Sequence, residues 1–190
     1  MAVTQPIGRM TYEEYLAFEE KSETKHEWVN GEVYAMAGGT LRHSEIAAAV
    51  ISLLRAALVP RGCRVFTSDA RVRVRATDRS TYPDVSVVCE PAERDERDRL
   101  ALTNPTLIVE VRSDDLQYPD RGDKRHYRRI PSLRTYVLVS TTEPRIEVYT
   151  RSGDAWRFAD AGPGESIDIG LHDARLCVDA IYDGIGEDDA

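Results

Sequence analysis

The chain has few cysteines, no strongly basic balance and no evident membrane-spanning run, and each lack removes a class of function. Cys63, Cys89 and Cys177 are odd in number and far apart, which gives neither a zinc pattern nor an evident disulfide framework. A reduced, cytoplasmic protein is the simplest expectation. No apolar run reads as long enough to cross a bilayer. The start, Met1-Ala-Val-Thr-Gln-Pro6, lacks the basic-then-apolar order of a signal peptide, so no membrane association is expected. The net charge of −8 argues against a general nucleic-acid binder, which is usually basic overall. His26, His43, His126 and His172 show no zinc spacing, and Gly38-Gly39 is followed by no Walker lysine. Serine-hydrolase motifs, internal repeats and low-complexity tracts are absent as well.

What remains is ordinary for a folded chain. The 190 residues, 42% hydrophobic and 31% charged, suit one domain over 1–190. Thr11 to Glu20 reads as a helix with a capping box, Thr11 and Glu14. Glu27 to Met36 reads as a hairpin about Asn30-Gly31. His43 to Leu58 carries the apolar stripe of a helix, capped by Thr40 or Ser44 and stopped by Pro60 and Gly62. Cys63 to Arg75 is strand-like. Within it Arg71, Arg73 and Arg75 alternate with valines, giving a solvent face or, in the sharper reading, a DNA-backbone face. A second basic group is Arg121, Lys124, Arg125, Arg128 and Arg129, on a short helix expected over 120–130. Strands follow at 135–140 and in a hairpin around Ser152-Gly153-Asp154, and the segment 166–181 suggests one last strand or helix. Strands grouped on either side of one helix imply an α/β chain with a mixed sheet and helices packed on it.

Two carboxylates interrupt apolar strands. Asp84 heads the run Thr81-Tyr-Pro-Asp-Val-Ser-Val-Val-Cys89, and Glu110 closes Thr106-Leu-Ile-Val-Glu-Val-Arg112. Pro83 suits the first residue of a strand, where no ladder hydrogen bond is lost. A charge beside such runs is costly unless paired, hydrogen-bonded or metal-bound. On neighbouring strands the two acids would form a small negative pocket suited to a hard divalent cation. The competing reading makes Asp84 a turn former, Glu110 a partner of Arg112 or Lys124, Lys124 a solvated helix charge and His43 a capping or packing residue.

The order helix, three strands, helix, strand, with acids on the second and third strands, resembles the PD-(D/E)XK restriction-endonuclease-like core. Glu27-Trp-Val-Asn-Gly-Glu32, Ala37-Gly-Gly-Thr-Leu-Arg-His43, Tyr82-Pro-Asp-Val85, Val109-Glu-Val111, Arg121-Gly-Asp-Lys124 with Tyr127, and Ile130-Pro-Ser-Leu-Arg-Thr-Tyr-Val-Leu-Val139 together resemble the Uma-two family of "putative restriction endonucleases", over about residues 11–158. The resemblance implies Asp84, Glu110 and the Val111 carbonyl as ligands of Mg²⁺ or Mn²⁺. Its lysine, expected two residues after Glu110, would be Lys124 on the following helix, because Arg112 stands at the usual place. Glu32, His43, Arg112 and Tyr127 would lie around these ligands. Arg112, and Asp114-Asp115 where the family more often has Ser-Pro, depart from the family pattern, and arginine is a poor proton shuttle. The implied activity is metal-dependent hydrolysis of DNA phosphodiesters. Cutting both strands needs two sites, as a homodimer would provide. The alternative is a catalytically silent nuclease fold that binds nucleic acid or a protein partner.

Overall fold

A computed structural model of the chain describes residues 6–36, 38–112 and 123–186, apart from the side chains of residues 123 and 124. After β1 (Gly8–Arg9), α1 (Tyr12–Glu19) begins at the expected capping box: the Glu14 N–H donates to the Thr11 hydroxyl, and the Thr11 N–H donates to the Glu14 carboxylate. The next hairpin is β2 (His26–Val29) and β3 (Glu32–Ala35). Asn30 and Gly31 have φ of 48° and 89°, the paired positive values of a type I′ turn.

The long helix, α2 (Leu41–Leu58), starts two residues before His43 because Thr40 is the cap, its hydroxyl accepting the His43 N–H at 3.1 Å. Ile46, Val50, Leu54 and Leu58 are fully buried. The stretch Leu41–Arg61 is long and apolar enough to cross a membrane, which corrects the reading that no run is; in this fold its apolar stripe packs on a sheet.

The expected single strand over 63–75 is two strands in two sheets, β4 (Arg64–Thr67) and β5 (Arg71–Val74). The following elements are β6 (Arg79–Thr81), β7 (Val85–Val88), β8 (Ala101–Leu102), β9 (Leu107–Arg112), α3 (Asp123–Tyr127), β10 (Thr135–Ser140), β11 (Ile146–Ser152), β12 (Ala155–Ala161), β13 (Ser166–Asp168), β14 (Arg175–Cys177) and α4 (Val178–Tyr182). One six-stranded sheet runs β1-β3-β2-β6-β5-β8 and another β12-β11-β10-β9-β7-β4, with β13-β14 as a separate pair. In the second sheet β4, β7 and β9 are antiparallel neighbours, and β10 joins β9 in parallel after α3. With α2 in front, this is the expected helix, three strands, helix, strand.

The second sheet is covered on both faces. Val85, Val87, Leu107, Val109 and Val111 pack toward α2 and α4. Val88, Ile108 and Tyr136 face Tyr127, Ile130 and the valines of β5. The alternation along β9 sets Glu110 on the face shared with Ile108, away from α2.

Two further expectations fail. Arg71 and Arg73 do not form a solvent or DNA face: they are 8% and 3% exposed. Arg71 donates to both Asp98 oxygens, at 2.6 and 2.9 Å, and Arg73 is paired with Asp78 and lies over the Tyr12 ring. Arg75 alone of the three is largely exposed, and it pairs with the buried Asp95. Part of the acidic 90–98 loop thus serves as internal counter-charge, which alternation within one segment cannot reveal. The cysteines are also not all separate. β4 and β7 pair Arg64 with Val88, so the next residues outward, Cys63 and Cys89, face each other and form a disulfide; their distance in sequence hid this.

Candidate functional site

The ladder between β7 and β9 pairs Val87 with Leu107, Ser86 with Ile108 and Val85 with Val109. Asp84 and Glu110 are the residues that follow the last of these pairs on adjacent strands. Their elements arise from ordinary local chemistry: Val-rich runs form the strands, and Pro83, lacking an N–H, sits where the chain departs from the ladder. The Asp84 carboxylate takes over one strand hydrogen bond there, its Oδ2 accepting the Val111 N–H at 2.7 Å. Glu110 is held from the opposite side. The Tyr127 hydroxyl of α3 donates to Glu110 Oε1 at 2.9 Å and shares a second 2.9 Å hydrogen bond with the Thr81 hydroxyl. Asp84, Glu110, Val111 and Arg112 all line one cavity of about 680 Å³.

His43 enters the same cavity from the first turns of α2. Its Nε2 lies 3.3 Å from Asp84 Oδ1. The hydrogen bond to Asp84 raises the His43 pKa above the ordinary histidine value, against the opposing effect of burial; the Asp84 charge and the Val111 carbonyl add to the rise. His43 therefore touches Asp84, which the resemblance names as a ligand. Gly39 makes room for it: a Cβ at that position would stand 2.6 Å from His43 Nδ1.

Tyr82, two residues before Asp84, is tied into the interior. Its hydroxyl donates to Glu19 Oε1 at 2.7 Å and accepts from Arg71 at 2.9 Å. Burial, then the bond to Glu19, pushes its pKa up. Glu19 also accepts from the His26 backbone N–H at 3.0 Å. These contacts anchor the segment that presents Asp84 to α1 and to β2.

The residues singled out from sequence are distributed as follows. Asp84, Glu110, Val111, His43 and Arg112 share the cavity, and Tyr127 stands behind Glu110. Glu32 is not among the cavity-lining residues; it accepts from Tyr34 at 2.6 Å on β3. Lys124 falls in α3 one turn before Tyr127, but its side chain lies outside the described residues, as do Asp114 and Asp115. Sequence reasoning missed Lys25 and Glu27, which also line the cavity. The Lys25 ammonium donates to Asp69 at 2.8 Å and to the Ser68 carbonyl at 3.0 Å, and lies 5.5 Å from the centre of the Tyr82 ring. Lys25 was signalled only by its proximity to the Asn30-Gly31 turn, and Glu27 by opening a stretch of the family resemblance without a site role; the pairing of β2 with β6 is what carries them toward Asp84.

The cavity wall thus combines oxygen donors from two strands with histidine, lysine and arginine, an arrangement able to take a cation and an anion side by side. Comparison with known proteins agrees in fold. A solved structure from Anabaena variabilis, described as a putative nuclease belonging to DUF820, superposes with a TM-score of 0.67 at 20% identity, covering 91% of this chain and 97% of that one. The uncharacterized protein slr1290 of Synechocystis sp. is 35% identical across 95% of each chain, and sll1609 of the same organism is 32% identical across 89% of this chain and 96% of its own. The family model described as "Uma2: Putative restriction endonuclease" matches residues 12–175, and the chain belongs to that family.

Proposed function

We propose that the chain is a divalent-metal-dependent endonuclease that hydrolyses phosphodiester bonds in DNA. The observation that carries this reading is the delivery of Asp84 and Glu110 to one cavity wall, each carboxylate braced by a separate hydrogen bond. The donor set fits Mg²⁺ or Mn²⁺: two carboxylates and a backbone carbonyl are hard oxygen ligands, and Mg²⁺ commonly keeps several waters beside one or two carboxylates. Asp84, Glu110 and the Val111 carbonyl would hold the ion. When bound, such an ion supplies Lewis acidity at the phosphate and a more acidic water.

The chain's own residues do the rest. The Val111 N–H and the Tyr127 hydroxyl fix the two carboxylates, so their orientation is set before substrate arrives. His43 holds Asp84 and, when protonated, balances its charge in the absence of a cation. Lys25 and Arg112 bring positive charge to a cavity that must accept a polyanion. Lys124 is assigned the task of stabilising charge that develops on the phosphate, a contribution of on the order of 3 kcal/mol in comparable electrostatic roles.

The test is nicking of supercoiled plasmid with Mg²⁺ or Mn²⁺. The parent should cut, Asp84→Asn should not, and Lys124→Ala should lose about a hundredfold in rate while still binding metal. Cleavage that persists in Asp84→Asn would reject the assignment. Metal-independent DNA or protein binding with no cleavage of any DNA would instead favour the silent module.

A further inference from the structure

At the opposite end of β7 from Asp84 lies a separate cluster. Cys63 follows the turn that ends α2, Cys89 follows β7, and His172 sits in the loop between β13 and β14. The sulfurs of Cys63 and Cys89 and a ring nitrogen of His172 all lie within 4.8 Å of one another. Cys63 is buried, Cys89 half-buried and His172 exposed. His172 and Asp173 both have positive φ, 52° and 54°, and their loop is pinned by the buried Leu171 and Ala174 on either side. The loop conformation therefore carries the imidazole to the cysteine pair, although the histidine takes no part in the disulfide.

We propose that this cluster, once its disulfide is reduced, is a binding site for a borderline-soft divalent cation, Zn²⁺, with Cys63, Cys89 and His172 as its three protein ligands. Two thiolates and an imidazole match the ligand preference of zinc and not that of Mg²⁺, so the site is chemically distinct from the carboxylate cavity. Around one zinc ion, with Zn–S near 2.3 Å and Zn–N near 2.0–2.1 Å, ligand atoms stand roughly 3.5–3.8 Å apart. After reduction the two formerly bonded sulfurs must part to reach that spacing, and the ring nitrogen of the exposed His172, within 4.8 Å of both, completes the set from the open side of the cluster. Three protein ligands leave a fourth position for water.

Disulfide and metal are exclusive uses of the same sulfurs. A dithiol reductant passes two electrons and two protons to the Cys63–Cys89 bond, which breaks to give two thiols while the reductant closes to its own disulfide. Zinc binding then expels the two thiol protons, because the thiolate is the ligand. The disulfide ties the end of α2 to the end of β7. The metal form would tie these two to the β13–β14 loop as well.

The experiment uses the full chain, oxidised and fully reduced, titrated with Co²⁺ as a spectroscopic probe and then with Zn²⁺ in competition. The reduced parent should bind one Co²⁺ with thiolate-to-cobalt charge-transfer absorption, should release it to Zn²⁺, and should melt at a higher temperature with Zn²⁺ than after chelation. The oxidised parent should show no such band. His172→Ala changes only an exposed side chain and should weaken binding more than tenfold; Cys63→Ser should abolish the band, and Cys177→Ser should keep it. A reduced parent without a thiolate–cobalt band, or binding unchanged by His172→Ala, overturns the proposal. Loss of the band in Cys177→Ser overturns it too, by placing the sulfur ligand elsewhere. None of these outcomes depends on nuclease activity.

Discussion

Removing one oxygen atom from Tyr127 tests how the structure braces Glu110. The Tyr127 hydroxyl bonds at 2.9 Å to Glu110 and at 2.9 Å to Thr81, and the residue is 2% exposed. In Tyr127→Phe the fully buried Thr81 hydroxyl loses this partner, a loss worth about 1–3 kcal/mol in buried sites. The bond to the Glu110 carboxylate is worth about 1.5–3 kcal/mol. Glu110 borders the cavity, where water can replace the phenol, so the two losses do not add in full and a net cost of about 2 kcal/mol is expected. For a chain of this size that corresponds to a fall in melting temperature of roughly 4–8 °C. The same change frees Glu110 to turn, and loss of such an outer hydrogen bond typically lowers metal affinity about 10–100-fold. The assays are thermal denaturation and Mn²⁺ titration of parent and variant side by side. A variant as stable as the parent, with unchanged Mn²⁺ affinity, would refute the bracing role.

Asp98→Ala should cost about 3–5 kcal/mol in urea unfolding, because it strands the buried Arg71 guanidinium that now makes two bonds to Asp98; a cost below about 1 kcal/mol would contradict the pairing. His43 has a raised folded-state pKa, so its ion pair with Asp84 contributes fully below the ordinary value of 6.5 and is lost as pH rises through the elevated value. His43→Gln should therefore be more destabilising near about pH 5.5 than near about pH 9, as pH-dependent denaturation would read. Gly39→Ala puts a Cβ 2.6 Å from His43 Nδ1 and 3.0 Å from its Cγ, forcing the ring to shift. The His43 pKa followed by NMR should fall toward the ordinary value, and an unmoved titration would show that the ring does not depend on that space.

Much of this was legible because the signals were local. Asn30-Gly31 marked its own turn, Thr11 and Glu14 their own cap, and the stripe in α2 its own buried face. Asp84 and Glu110 stood out because a carboxylate beside valines needs a reason, and the family resemblance supplied the pairing. What was not legible depended on distant partners. Arg71 and Arg73 alternate with valines as a surface strand would, yet the first sheet buries both, Arg71 against Asp98, 27 residues further along the chain, and Arg73 against Asp78 in the turn that follows its own strand. Cys63 and Cys89 are separated by 26 residues, and only the register of β4 against β7 makes them neighbours. Lys25 and Glu27 reach the cavity only through the packing of the hairpin beside β6. His43 was visible as a lone histidine; its contact with Asp84 needed the start of α2 to be aimed at the end of β7.

The most direct test of the central claim is Mn²⁺ binding followed by electron paramagnetic resonance on the parent, Asp84→Asn and Glu110→Gln. The expected result is one tight Mn²⁺ per parent chain, weakened in both variants and untouched by Cys63→Ser, with all proteins folded by circular dichroism. Equal Mn²⁺ affinity in the parent and both carboxylate variants would contradict a metal site at Asp84 and Glu110.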